Sequence, residues 1–416
     1  MIIWYTSIYE PLPWEDKSIR RMRVGLLARA LAKRGHKVEI WIPGFDHSKH
    51  KFFIQQSKCV KVEKNISIQY LKSLGYSKDV SLNRYVHNLQ LAQEFEKIAE
   101  QRETKPDCII TQVPSLELAG ISIKFAKQHN LTSFVDIRDL YPDNYQRLLP
   151  RPFQLLYPLL FCQSIKKAKK IITEADSVFT ISRTFQRWAS HMAEKRALRS
   201  FIFPLGYEKI PFPPKIDKNK FFKRHRIPPG KKYIIFSGTF CQSYDLRFLP
   251  LAAAWIKKKY KNTFHFILAG NGEISKNFML KCKTIKNITF TGWLNDVELS
   301  VLLEKAFVGM APYSANAKMS LPNKFFEYAT YQIPILCSLQ GEMKDLFQKN
   351  DCGVFFEPGD PNSFVLGLEK IRGKYSKMRR HCKKMLCKKF SVKKIYEDFS
   401  KRIEKEMKYH ESRSKA

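Results

Sequence analysis

Ser320-Leu-Pro-Asn-Lys-Phe-Phe-Glu-Tyr-Ala-Thr-Tyr-Gln-Ile-Pro-Ile335 stands between two apolar runs, FVGMAPY (307–313) and IPILCS (333–338), and reads as a helix joining two strands. Strand, helix and strand in about thirty residues make the unit of a parallel sheet, because parallel neighbours need a crossover. The same alternation continues outward. Upstream lie YIIFSG (233–238), FHFILAG (264–270) and NITFTG (287–292), and downstream lies GVFFEP (353–358). Short apolar runs alternating with longer stretches of helical period predict an α/β sheet covered by helices. The first half of the chain repeats the pattern, with strands expected near 2–7, 37–42, 66–71, 107–113, 132–137 and 177–182. Between the first two, Ile19 to Lys33 has apolar residues at Val24, Leu27, Ala28 and Leu31, and Gly35 as its stop, which predicts a helix.

Residues 203–230 are crowded with Pro and Lys and show neither period, so they read as the link between two domains. The tail from Ser363 onward is helical in period and dense in Lys and Arg, predicting one or two surface helices. The expected organisation is a domain over 1–205, a linker over 206–230, and a second domain over 231–390. The last helix, 391–416, is expected to pack back on the first domain. Open parallel sheets bind ligands at the carboxyl ends of their strands, so the loops there carry the functional expectation.

Pro322 suits a first helical turn, so a helix end with free amides and positive dipole is expected there, suited to an anion. Lys324 sits in that first turn, where the dipole disfavours a cation unless something negative, such as phosphate, is near. Glu327 is one turn on, placed to accept hydrogen bonds from two adjacent hydroxyls, as on a ribose. The plain alternative is a Lys and a Glu solvated on an exposed helix end.

Composition narrows the class. A chain of 416 residues with 44% hydrophobic side chains, 31 Phe, 18 Tyr and 6 Trp is too apolar for disorder. It carries 74 Lys and Arg against 38 Asp and Glu, a net charge of +36, so an anionic partner is expected. Nine cysteines, an odd number and without any CxxC pair, argue against a disulfide framework or zinc ribbon and for a reducing compartment. The N-terminal residues read as a first strand rather than a signal peptide, and a cytoplasmic place is expected. No two Asp residues are spaced as D-x-D, so no metal is expected, and no cofactor.

The run SLPNKFFEYATYQIPIL resembles the donor-binding motif "P-x-K-x-x-E-Y…G-x-P" of the retaining glycosyltransferases of family four, which have the GT-B fold. Asn271-Gly-Glu within FHFILAGNGE resembles that family's "AGxGp". FTGWLNDVELSVLLEKAFVGMAPY resembles its "f-x-G-x-v…l-x-x-x-l…a-d-v-x-l-x-P" stretch, and Cys352-Gly-Val-Phe-Phe-Glu-Pro-Gly-Asp-Pro its "P-G-D-P" element. Upstream, the run from Arg23 through Gly35-His36 resembles the family's first helix and second strand. Val135-Asp-Ile-Arg-Asp-Leu-Tyr-Pro-Asp143 is similar to the "R-D-L-W-P-E" element of polysaccharide and O-antigen members, which act on lipid-linked sugars.

The resemblance implies two Rossmann-like doubly wound domains facing across a cleft, and transfer of a hexosyl or N-acetylhexosaminyl group with retention. The donor is a nucleotide-diphosphate sugar, with UDP the expected base, and no covalent protein nucleophile is required. It implies a donor site at Gly238, Thr239, Arg247, Gly270, Gly272, Tyr313, Ser320, Leu321, Pro322, Asn323, Lys324 and Glu327. It implies an acceptor site at Arg23, Arg138 and Asp139, with Asp139 polarising the acceptor hydroxyl, and catalytic roles for Asp139, Lys324 and Glu327. The acceptor is expected to be a lipid-linked or cell-surface polysaccharide intermediate. Two departures stand out. Met319 occupies the place of the family's first Glu, and the Arg and Lys-Gly that often follow Gly238 are absent, leaving Lys324 and Arg247 to supply charge.

Two other readings stay open: a nucleotide-sugar epimerase of the same fold, and a basic nucleic-acid-binding protein, which the scattered Lys and Arg disfavour. FQLLYPLLFC (153–162) follows Arg147 and Arg151 and precedes Lys166, Lys167, Lys169 and Lys170. That order suits a helix lying in an anionic headgroup layer and a peripheral place on the inner face of the membrane, or else an ordinary core helix with a solvated end.

Overall fold

Cys108–Val113, Thr132–Ile137 and Phe264–Ala269 are buried at every residue, as strands covered by helices on both faces must be. The computed structural model describes residues 1–416 except 9, 11, 13, 16–18, 48–49, 79–80, 195–196, 210–215, 273–274, 283 and 415–416. The chain divides into two compact units: Met1–Asp16 with Arg21–Pro204 and Lys393–Ala416, and Lys17–Arg20 with Leu205–Val392.

Among the described residues the first unit holds an eight-stranded sheet. Its order is Ser200–Ile202, Ser177–Thr180, Thr132–Ile137, Cys108–Val113, Ile2–Thr6, Lys37–Pro43, Ile66–Leu71, Lys58–Glu63. All neighbours are parallel except Lys58–Glu63, which runs against Ile66–Leu71. The two outermost strands were not expected. Lys58–Glu63 is half-exposed and charged, and Ser200–Ile202 is only three residues long, so neither carries a buried apolar run. Trp4, Trp41, Phe95 and Phe125 interlock at one face, with Trp4 and Trp41 ring centroids 4.6 Å apart and Trp41 and Phe95 5.0 Å apart.

Among the described residues the second unit has a six-stranded parallel sheet ordered Ile288–Gly292, Phe264–Ala269, Lys232–Ser237, Ala306–Ala311, Ile335–Cys337, Gly353–Phe355. Its aromatic core includes Phe248, Phe356 and Phe364, with Phe364 5.1 Å from each of the other two. Asn295 and Glu298 form a reciprocal capping box that starts helix Asp296–Glu304.

Four expectations need correction. The helix expected over Ile19 to Lys33 spans Arg23–Lys33, its first turn closed by the Glu10 carboxylate, which accepts from Val24 N at 2.6 Å. The stretch 206–230 is not a free link. Asp217 caps helix Lys218–Arg224, whose Phe221 is buried, and Phe222 stacks on Tyr233 at 5.8 Å. A one-turn amphipathic face had been hidden by Lys-rich composition.

Among the described residues the tail forms three helices rather than one or two, Pro361–Gly373, Tyr375–Lys389 and Val392–Ser414. The last packs within the first unit: Phe399 stacks on Phe203 at 4.3 Å, and Glu404 takes Arg34 at 2.6 Å and His36 at 2.7 Å. Finally, 153–162 is not one helix. Pro152 and Pro158 punctuate it into a turn, Arg151–Gln154, and a single helical turn, Tyr157–Leu160, before helix Cys162–Glu174.

Candidate active site

Strand Lys232–Ser237 ends at Ser237, and the chain turns sharply at Gly238, whose φ of +132° suits glycine alone. A side chain there would also collide with the Lys324 ammonium. Gly270, with φ +147°, ends the adjacent strand, and a Cβ on it would overlap the Gly238 carbonyl. Gly238 N donates to Ala269 O at 2.8 Å and Phe240 N to Asn271 O at 2.9 Å, so the two strand-end loops run side by side.

Helix Asn323–Thr330 points its N-terminus at these loops, because Lys324 in its first turn reaches the Ser237 carbonyl. The ammonium also lies over the rings of Phe236, at 4.6 Å, and Tyr244, at 4.9 Å. Lys324 and Glu327 are each only 8% exposed, so the solvated-pair alternative does not hold. The Ser237 hydroxyl donates to Glu327, and Tyr328 Oη donates to the carbonyls of Ile235 and Met310 at 3.2 Å each. Tyr328 can lie so deep only because residue 309 is glycine, where a Cβ would overlap its ring.

Burial pushes the Glu327 carboxyl above its ordinary range, while Lys324, the Ser237 hydroxyl and Arg20 pull it back. A buried cation, a helix N-terminus and a partly compensated carboxylate therefore share one strand-end surface. They suit a ligand with a negative group and adjacent hydroxyls. Among the described residues, buried polar atoms near this group without a hydrogen-bond partner include the Ser320 hydroxyl, just before the helix, and Tyr207 Oη. Tyr207 lies under Arg20 at 4.2 Å and is close enough to feel the charge of Glu327. Both are poised to donate to a ligand oxygen.

Of the expected donor residues, the structure brings together Gly238, Gly270, Lys324 and Glu327, with Ser320, Leu321 and Pro322 buried at the head of the helix. Asn323 and Thr239 are exposed, and Gly272 is half-buried beside Phe240. Tyr313 is buried and its hydroxyl faces that of Tyr244 at 3.4 Å, so it braces the ring over which Lys324 lies. Arg247 is a correction. Its side chain is 88% exposed and forked onto Asp245 at 2.9 and 2.8 Å, in a loop that turns it to solvent. Ser237, Arg20, Tyr207 and Gly309 were missed. Ser237 could have been found as the last residue before a strand-end glycine. Arg20 lies some three hundred residues from Glu327 in sequence and left no local signal.

In the first unit, Arg23 is also a correction. It has no exposed side-chain surface, because Asp136 takes its guanidinium at 2.7 Å and the Phe203 carbonyl takes Nη1 at 2.7 Å. Tyr5 donates to the same Asp136 at 3.0 Å. Arg23 thus holds the sheet's carboxyl end rather than meeting an acceptor. Arg138 pairs with Glu10 at 2.5 Å and stays partly exposed. Asp139 accepts from Leu140 N at 2.9 Å and from the Asn144 amide. It lines a cavity of about 270 Å³ with Arg84, Tyr85, Glu117, Tyr145 and Lys167. His36 and His265 are structural: His36 pairs with Glu404, and His265 bonds Thr289 at 2.8 Å, with burial pulling it down to about 4. Among the described residues no three His, Cys, Asp or Glu cluster to hold a metal ion.

Comparison with solved structures returns sucrose-phosphate synthase from Thermosynechococcus elongatus, at 14% identity and a TM-score of 0.73, covering 97% of this chain and 98% of that one. Anabaena HepE in complex with UDP and glucose follows at 12% identity, TM-score 0.67 and coverage of 97% and 100%. WaaG, a glycosyltransferase involved in lipopolysaccharide biosynthesis, gives 12% identity, TM-score 0.65 and coverage of 96% and 98%. The fold is GT-B. Residues 217–386 of this GT-B chain match the family described as glycosyl transferases, group 1, a stretch that includes Lys324 and Glu327. No curated protein matches. Glycosyl transfer is the activity named by the family that this stretch matches.

Proposed function

We propose that the protein is a retaining glycosyltransferase that moves a hexosyl or N-acetylhexosaminyl group from a nucleotide-diphosphate sugar to an acceptor hydroxyl. The observation that carries the reading is Lys324, a buried cation at the head of helix Asn323–Thr330 with Glu327 one turn on. The diphosphate is neutralised by Lys324, the helix amides and the Ser320 hydroxyl, and Glu327 accepts the donor's paired hydroxyls. Charge that develops on the departing phosphate oxygen is stabilised by donors already in place, the largest kind of catalytic contribution such a site offers. That oxygen takes the acceptor proton, so no protein nucleophile is used, and Asp139 orients the acceptor hydroxyl. UDP is favoured as the base because HepE was solved with UDP and with UDP-glucose.

The acceptor is read as a lipid-linked or cell-surface polysaccharide intermediate. The RDLYPD element at Arg138–Asp143 supports this, as does WaaG, whose reaction serves lipopolysaccharide. Among the described residues no helix is long and apolar enough to cross a membrane. No further group is needed for this chemistry. The test is a screen of nucleotide sugars for release of free UDP, GDP or ADP by the full chain. Release of one diphosphate from a matching donor is expected; none from any donor would refute the reading.

A further inference from the structure

Leu82, Tyr85 and Val86, on the first turn of helix Leu82–Gln101, are exposed, Leu82 to 82%. So are Leu155, Leu159 and Leu160 around the turn Tyr157–Leu160, Leu155 to 87% and Leu159 to 72%. Single exposed leucines are ordinary, but two groups from separate segments that adjoin are not. They adjoin here through three contacts. The Lys167 ammonium lies 5.9 Å over the Tyr85 ring, Arg84 reaches the Tyr145 hydroxyl at 3.5 Å, and Tyr145 packs on Phe161 at 6.1 Å.

Tyr85 and Lys167 are at the same time part of the lining of the Asp139 cavity, so the apolar face and the cavity share a border. The charge around that border is positive. Lys166 and Lys170, one turn apart on helix Cys162–Glu174, are exposed, and Lys167 and Lys169 lie between them. The nearby carboxylates are taken up: Glu117 by Lys167 at 3.5 Å, and Asp143 by Tyr157 at 2.7 Å and Trp188 at 2.9 Å.

We propose that these two segments together seat the first unit on an anionic lipid surface, leucines in the acyl boundary and lysines among the headgroups. The Asp139 cavity then opens at headgroup level and takes a membrane-anchored acceptor whose phosphate meets Arg84 and Lys167. An apolar ridge edged by cations is the arrangement that such a surface recognises, and the chain's charge of +36 adds to the attraction. The content of the cavity rests on the glycosyl-transfer reading; the seating stands on the face alone.

The experiment is sedimentation of the full chain with phosphatidylcholine vesicles, with and without phosphatidylglycerol, alongside L155S/L159S/L160S and K166E/K170E variants. Donor hydrolysis is followed in parallel, since none of these five residues lines the cavity or the donor site. Wild type is expected to pellet only with the anionic vesicles, and each variant to lose about tenfold or more of that binding while hydrolysis is kept. Failure of wild type to bind, or equal binding to neutral vesicles, overturns the proposal. So does a wild-type dimer in solution that the leucine variant dissolves, which would assign the face to a second copy. Vesicle binding without hydrolysis of any donor would instead sink the donor reading and leave the docking surface standing.

Discussion

Replacing Lys324 by Met removes one charge and almost nothing else, and the consequences for stability and turnover should separate. In the folded protein the ammonium gives up hydration to sit over Phe236 and Tyr244, at 4.6 and 4.9 Å, and to donate to the Ser237 carbonyl. Each cation–ring contact contributes about 0.5 to 2 kcal/mol, and a charged hydrogen bond about 1.5 to 3 kcal/mol. Against this stands the desolvation of a buried ammonium, several kcal/mol, which Met does not incur. Met fills the same channel against the same two rings, so the two sides nearly cancel and Tm should move by no more than about 4 °C. The donor complex has no such compensation. Loss of a charge-assisted contact to a diphosphate in a shielded site costs about 2 to 4 kcal/mol, a fall in kcat/KM of roughly thirtyfold to a thousandfold. Thermal melts and steady-state donor hydrolysis read the two quantities independently. A variant with kcat/KM within about threefold of wild type would refute the donor assignment. A large fall in Tm with normal turnover per folded molecule would make Lys324 a structural cation only.

Gly238→Ala should act on the same ammonium from the other side. It forces a side chain into a left-handed turn and against Lys324 Nζ, so a stability loss of about 1 to 3 kcal/mol with at least tenfold weaker donor use is expected, read by denaturant melts and KM. For Glu327, burial raises the folded carboxyl above its unfolded value, so the folded state holds the proton more tightly. Stability contributed by that proton is present at low pH and is lost as pH rises through the raised value. Glu327→Gln should flatten this slope in melts across pH 4 to 8 and abolish the matching rise of donor turnover; an unchanged profile would remove Glu327 from both roles. Asp139→Asn should leave donor hydrolysis intact and slow transfer to acceptor by tenfold or more, and an equal loss of donor affinity would move Asp139 out of the acceptor site.

What could be read from the chain without its structure was whatever depends on near neighbours in sequence. Strand runs such as FHFILA and TSFVDI are buried at every position, so their apolarity announces them, and both sheets were legible with ends right to within a few residues. The helix at Pro322, with Lys324 and Glu327 one turn apart, was equally local, because i and i+3 share a face by geometry alone. What escaped were elements whose pattern is too weak to show. The edge strand Lys58–Glu63 is half solvent, and helix Lys218–Arg224 hides one buried Phe among lysines.

The tertiary structure decided everything that depends on which distant side chain arrives at a given charge. Arg23 and Arg247 look alike in sequence as spare cations beside candidate sites. Yet Arg23 is locked onto Asp136 with no exposed surface, and Arg247 is turned to solvent on Asp245. Of the partners that pull the Glu327 carboxyl back, Lys324 is local, but Ser237 and Arg20 come from segments about ninety and three hundred residues away. Period and composition report what a residue does within a turn or a strand. Burial, and the free energy of a charge within it, depends on how many separate segments close over that residue, and only the fold specifies that.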